Sequence, residues 1–241
     1  MVAISSIILP LYVYPTLPGF STYYNSIVAY PNVTFNIIVN VDSGPGANSA
    51  PNSDYVTAIA KLNALPNAVL HGYVHTSNGQ QPRTTVEANI TTYANWASHT
   101  PEDMHVDGIF FDEAPTDTAS VSYMAGLSSF AKNALGTGHN HLIFNPGVIP
   151  DAGYFPLADQ LLVFENYYSA YTDTTINSVP AADLSQSLFM IHGFTDTISR
   201  QTQIVRNLLG AGLGGLFISD TDDYSVVSSI WTQFVQAVSL G

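Results

Sequence analysis

The chain has 241 residues, 46% of them hydrophobic, with no cysteine and with 18 acidic against 5 basic side chains, a formal net charge of −13. That length and apolar content suit one large domain with a sizeable core, and the lack of cysteine excludes a disulfide, a thiol nucleophile and a thiolate metal site. Five cations are too few to neutralise phosphates, so nucleic acid and anionic membranes are excluded as partners, and neutral or cationic glycans are favoured over polyanionic ones.

Short apolar runs alternate with longer amphipathic stretches along the whole chain. Strands are expected at Ile7–Val13, Phe35–Val41, Ala68–His75, Gly108–Asp112, His141–Asn145, Gln160–Glu165, Leu188–His192 and Gly215–Ser219. Helices are expected at Asp54–Leu65, Thr85–Ser98, Ser120–Leu135, Thr197–Leu209 and Val226–Leu240; in the fourth, Ile198, Val205 and Leu208 fall on one stripe. Near-continuous apolar strands are what a parallel sheet buried on both faces requires. Eight of them, most followed by a helix or a long loop, predict a single (β/α)8 barrel over residues 1–241, with an open doubly wound sheet as the alternative. The stretches 146–156 and 166–180 read as irregular. The opening Met1-Val2-Ala3-Ile4-Ser5-Ser6 has no basic residue before the first apolar run, so a signal peptide is not expected within the chain. The sequons Asn32-Val33-Thr34 and Asn89-Ile90-Thr91 fit a secreted, extracellular or cell-wall-associated protein, expected to act as a monomer.

In such a barrel the active site forms at the carboxyl ends of the strands. Those ends deliver Tyr14, Asn40 with Asp42, His75, Asp112 with Glu113, Asn145, Glu165 with Asn166, His192 and Asp220. Only four glutamates occur in the chain, and two of them, Glu113 and Glu165, close apolar runs. Two carboxyl groups across a cleft are the equipment of a glycoside hydrolase. Asp112 and Glu113 are adjacent, so on a strand they point to opposite sides and one of them must pair with Glu165. Tyr12, Tyr14, Tyr167 and Tyr224 offer flat faces to sugar rings, while Asn40, His75, Asn145, Asn166, His192 and Asp220 offer polar partners for hydroxyls. Helix capping is the competing role for Asp220.

Other chemistries find little support. Lys61 and Lys132, the only lysines, fall in helical stretches and not at strand ends, which disfavours Schiff-base chemistry. His71 and His75 would lie about 13 Å apart along a strand, too far to share an ion. His139 and His141 begin a strand at its opposite end. Gly210-Ala211-Gly212-Leu213-Gly214-Gly215 follows a helix and precedes a strand, the reverse of a dinucleotide-binding turn. No Gly-x-Ser-x-Gly elbow is present. No metal or organic cofactor is expected.

The runs Ile8-Leu9-Pro10-Leu11-Tyr12-Val13-Tyr14-Pro15, Gly108-Ile109-Phe110-Phe111-Asp112-Glu113, Phe144-Asn145-Pro146-Gly147 and Phe164-Glu165-Asn166-Tyr167, taken in order, resemble the spherulin-4-like (spherulation-specific) family. The resemblance implies a (β/α)8 glycoside hydrolase acting inside α-1,4-linked, galactosamine-containing exopolysaccharide. It also implies that the family's acidic trio is Asp112, Glu113 and Glu165. A catalytically silent glycan-binding or spore-coat barrel is the competing expectation.

Overall fold

The computed structural model describes residues 6–241, so the opening residues 1–5, read above for a leader, lie outside the described residues. Eight parallel strands, β1 (Ser6–Leu11), β2 (Thr34–Val39), β3 (Ala68–His75), β4 (Gly108–Asp112), β5 (His141–Phe144), β6 (Gln160–Tyr167), β7 (Ser187–His192) and β8 (Gly215–Ile218), close in chain order into a barrel. The expected barrel is therefore the observed one, and each expected strand has its counterpart.

Helices cover the outside: α1 (Pro18–Ala29), α2 (Ser53–Asn63), α3 (Arg83–Trp96), α4 (Val121–Leu135), α5 (Ile198–Gly210) and α6 (Trp231–Ser239). Each turns an apolar stripe to the sheet, such as Val86, Ile90, Tyr93 and Trp96 of α3. Tyr93 lies against Gly72 of β3, where a Cβ would sit 2.5 Å from the ring, and its hydroxyl donates to the Val39 carbonyl at 3.0 Å. A side chain at position 72 would push the helix off the sheet.

Two differences from expectation have physical causes. Helix α1 was not anticipated. It starts with Pro18 at its first position, where the missing N–H is harmless, and buries Phe20, Tyr23 and Ile27. The last helix begins at Trp231, not Val226. Asp220 accepts from Ser228 Oγ at 2.7 Å and from the Ser229 N–H at 3.0 Å, which holds the preceding residues in a turn. Among the described residues, the segments after β5 and β6 carry only short 3₁₀ turns; Pro146, Pro150, Pro156 and Pro180 break any longer helix there.

The barrel interior has a polar floor and a polar mouth. At the floor, Asn36 of β2 donates to Gln160 of β6 at 3.3 Å, and buried His71 pairs with His141 at 2.8 Å. Gly108 leaves room for that pair, since a Cβ there would meet His71 at 2.9 Å and collide with the His141 carbonyl. Apolar side chains fill the middle, and the mouth holds the acids.

Candidate active site

Alternation along β4 sets the first acid. Asp112 shares the face of Phe110, and both line a cavity at the barrel mouth, whereas Glu113 lies beyond the end of β4 and does not line it. The second acid needs more than alternation. Gln160 and Leu162 face inward, so regular pairing would turn Phe164 in and Glu165 out. The ladder between β6 and β7 instead slips by one residue, pairing Leu162 with Leu188 but Phe164 with Phe189. Val163 is the extra residue of a β-bulge, and after it Glu165 faces the interior beside Met190.

The loop after β5 stabilises that bulge. The Gly147 N–H donates to the Leu162 carbonyl at 3.1 Å, and its carbonyl accepts from the Glu165 N–H at 3.0 Å. Gly147 adopts φ +68°, which costs a residue with a side chain about 1–2 kcal/mol. The Asn145 side chain accepts from the same Gly147 N–H at 3.0 Å.

Asn145 then links the two acids. Its Nδ2 donates to Asp112 Oδ1 at 2.8 Å and to Glu165 Oε2 at 2.7 Å. Two oxygens bonded to one nitrogen at those lengths are at most about 5.5 Å apart, closer than the about 6.5–9.5 Å between the carboxyl groups of inverting glycosidases. Each acid has a second donor. Tyr73 Oη donates to Asp112 Oδ2 at 2.6 Å, and Tyr224 Oη donates to Glu165 Oε1 at 2.7 Å. Burial, and next the neighbouring carboxylate charge, push the Tyr12, Tyr73 and Tyr224 hydroxyls above the usual phenol range. They therefore stay protonated, able to donate. Tyr12 stands edge-on to both Tyr73 and Tyr224, with ring centroids 6.2 and 6.1 Å away. The cavity encloses about 170 Å³ over a floor of Pro10, Ile38, Phe110 and Met190.

The remaining candidates divide. Glu113 sits just outside the cavity with φ +48°, a strained conformation. Its carbonyl is held by Thr76 Oγ1 at 2.6 Å and the Asn78 N–H at 2.8 Å, while its carboxylate meets His75 Nε2 at 2.9 Å. His192 packs between Tyr167 and Tyr224 at the rim, with centroids 4.2 and 6.5 Å away. Tyr167 donates to Asp222 at 3.1 Å, and Asn166 beside it is exposed. Three residues are engaged elsewhere and do not line the cavity. Tyr14 donates to Asp54 at 2.8 Å, Asn40 accepts from the Gly44 N–H at 3.0 Å, and Asp220 binds the Ser228–Ser229 turn. The expected cap role of Asp220 is likewise not observed, since Ile230 stands at the cap position of α6 without a side-chain hydrogen bond.

Tyr73 was missed from the sequence. The available signal was a tyrosine inside an apolar strand, whose hydroxyl must find a buried partner. Its register partner Phe110 shares its inward face, and Asp112 follows on that face.

The spherulation-specific family 4 model matches residues 6–238. Spherulin-4 of Physarum polycephalum is 36% identical over 160 residues, which make up 66% of this chain and 44% of that protein. The chain thus spans less than half the length of that relative. Aspergillus clavatus Sph3, solved in complex with GalNAc, superposes with a TM-score of 0.91 at 30% identity, over 98% of this chain and 97% of that one. A GH18 chitinase from Pseudoalteromonas aurantia superposes with a TM-score of 0.62 at 11% identity, over 98% of both chains; at that identity only the barrel fold is shared. Among the described residues no helix is long and apolar enough to cross a membrane. With its family model matched from the first described strand to the last helix, the chain belongs to spherulation-specific family 4.

Proposed function

We propose that the protein is a glycoside hydrolase that cleaves internal α-1,4 linkages of a galactosamine- and N-acetylgalactosamine-containing exopolysaccharide, with retention of configuration. The observation that carries this reading is the convergence of Asp112 and Glu165 on one aromatic-walled cavity, bridged by Asn145 at 2.8 and 2.7 Å. The likeness to Sph3, solved with GalNAc, supports the sugar class. The net charge of −13 suits a partly deacetylated, cationic polymer met outside the cell.

In the first step the Asp112 carboxylate forms a bond to the anomeric carbon while the glycosidic C–O bond breaks, and the departing oxygen takes the proton carried by Glu165. In the second, Glu165 takes a proton from water, the water oxygen bonds to the anomeric carbon, and Asp112 is released. Tyr73 keeps Asp112 aimed, and Tyr224 does the same for Glu165. Glu113 with His75 positions the turn that carries Asp112.

The test is incubation with purified, partly deacetylated α-1,4-galactosaminan and analysis of the products. Oligosaccharides should be released with the anomeric configuration of the substrate. Asp112→Asn and Glu165→Gln should each lower turnover by at least about 10³-fold without lowering Tm. Glycan binding with no cleavage by the wild-type protein would identify a silent binding barrel, and unchanged turnover in either variant would remove that residue from the mechanism.

A further inference from the structure

A second constellation lies at the opposite end of the barrel, where β4 and β5 begin. His105 and Asp107 lie two apart in the extended segment leading into β4, so they share a side while Val106 between them is buried. The parallel pairing of β4 with β5, through Gly108 and His141, brings His139 to the same place. His105 Nε2 is 3.4 Å and His139 Nδ1 3.2 Å from the same oxygen, Asp107 Oδ1, and all three atoms lie within 4.8 Å of one another.

The geometry points to a structural zinc site formed by His105 Nε2, His139 Nδ1 and Asp107 Oδ1, with water as the fourth ligand. Ligands about 2.0–2.1 Å from a tetrahedral zinc are about 3.3 Å apart, which matches both nitrogen–oxygen separations. Two imidazoles and one carboxylate select a borderline transition metal over calcium or magnesium, which take oxygen ligands. The outer contacts are those of a metal centre. Asp103 Oδ1 lies 2.6 Å from His105 Nδ1, which fixes the ring with Nε2 toward Asp107. The other Asp107 oxygen accepts from the Leu70 N–H at 2.8 Å, which fixes the carboxylate.

The centre lies about 16 Å along β4 from Asp112, too far to act on substrate. Its effect is to tie together the starts of two strands whose far ends carry Asp112 and Asn145. This inference is independent of the hydrolase reading.

The test is calorimetric titration of tag-free, chelator-stripped protein with zinc chloride. One ion should bind per chain, raising the Tm, and cobalt in its place should give the intense visible bands of a tetrahedral site. His139→Ala should weaken binding at least tenfold and abolish the zinc-dependent rise in Tm. His139 is 45% exposed, and an unchanged Tm in chelator verifies that this variant folds. Asp103→Ala should weaken binding by about 10- to 100-fold through the orientation of His105. Lack of one-to-one binding by the wild type overturns the site in favour of a His105 held between the Asp103 and Asp107 carboxylates alone. Equal affinity in wild type and His139→Ala overturns it as well.

Discussion

Replacing Asn145 by alanine tests the link between the two acids. Among the described residues the Asn145 amide is the single group that donates to both, at 2.8 and 2.7 Å. A bond to a charged carboxylate oxygen is worth about 1.5–3 kcal/mol and one to a neutral carboxyl about 0.5–1.5 kcal/mol, so with Glu165 as the acid of the first step the two together contribute about 2–4.5 kcal/mol. Alanine removes both donors and also frees the Gly147 N–H from its side-chain acceptor. The acids should then turn apart, and the reacting oxygens should leave the spacing on which attack and proton transfer depend. With roughly 3–4 kcal/mol of this appearing in the barrier, kcat/KM on the galactosaminan should fall about 10²- to 10³-fold. Asn145 is buried, so about 1–3 kcal/mol of stability should also go, at about 2–4 °C in Tm per kcal/mol. Kinetics at fixed substrate and calorimetry on the same preparation measure both. A loss of turnover below about fivefold would falsify the proposed bridging role.

Gly147→Ala should lower stability by about 1–2 kcal/mol through its φ of +68° and should reduce turnover, because the same residue brackets the bulge before Glu165; an unchanged Tm would show that the turn adapts. Glu113→Gln and His75→Ala should reduce kcat/KM to the same extent as the double variant, since the two side chains act as one pair at 2.9 Å. Additive losses would mean that Glu113 acts without His75. The Tyr23 hydroxyl, pushed by burial from 10.0 up to about 12, holds its proton in the folded state after the unfolded chain has lost it. The stability it contributes is present below pH 10 and is lost as pH rises from there through about 12. By pH 11 the accumulated loss reaches about 1.4 kcal/mol, so Tyr23→Phe should show a smaller alkaline drop in Tm than the wild type.

Much of this protein was legible in its residues alone. Eight apolar runs fix eight strands, because burial on both faces leaves no other reading for short Val-, Ile-, Leu- and Phe-rich segments between amphipathic stretches. A barrel then places the last residue of every strand on one rim. Adjacency leads the sequence reading to set Asp112 apart from Glu113 and to expect a distant partner in Glu165; in the structure β4 ends at Asp112, and Glu113 turns away at φ +48°. Helix α1 was the main omission: its Pro18-Gly19 start reads as a turn, and its Phe20, Tyr23 and Ile27 stripe is interrupted by polar residues.

What the tertiary structure alone decided is where the side chains at those strand ends point. Alternation predicts that Glu165 faces outward. The bulge at Val163 reverses that, and the bulge exists because Gly147, on a different loop, supplies the hydrogen bonds that the β6 ladder loses. The Tyr73–Asp112 bond and the His105–Asp107–His139 cluster depend in the same way on register between strands that are remote in sequence. Side-chain periodicity is a property of one segment, whereas backbone hydrogen bonds between segments set its phase. The chain therefore determined which groups reach the barrel's two ends, and only closure of the sheet determined which of them meet.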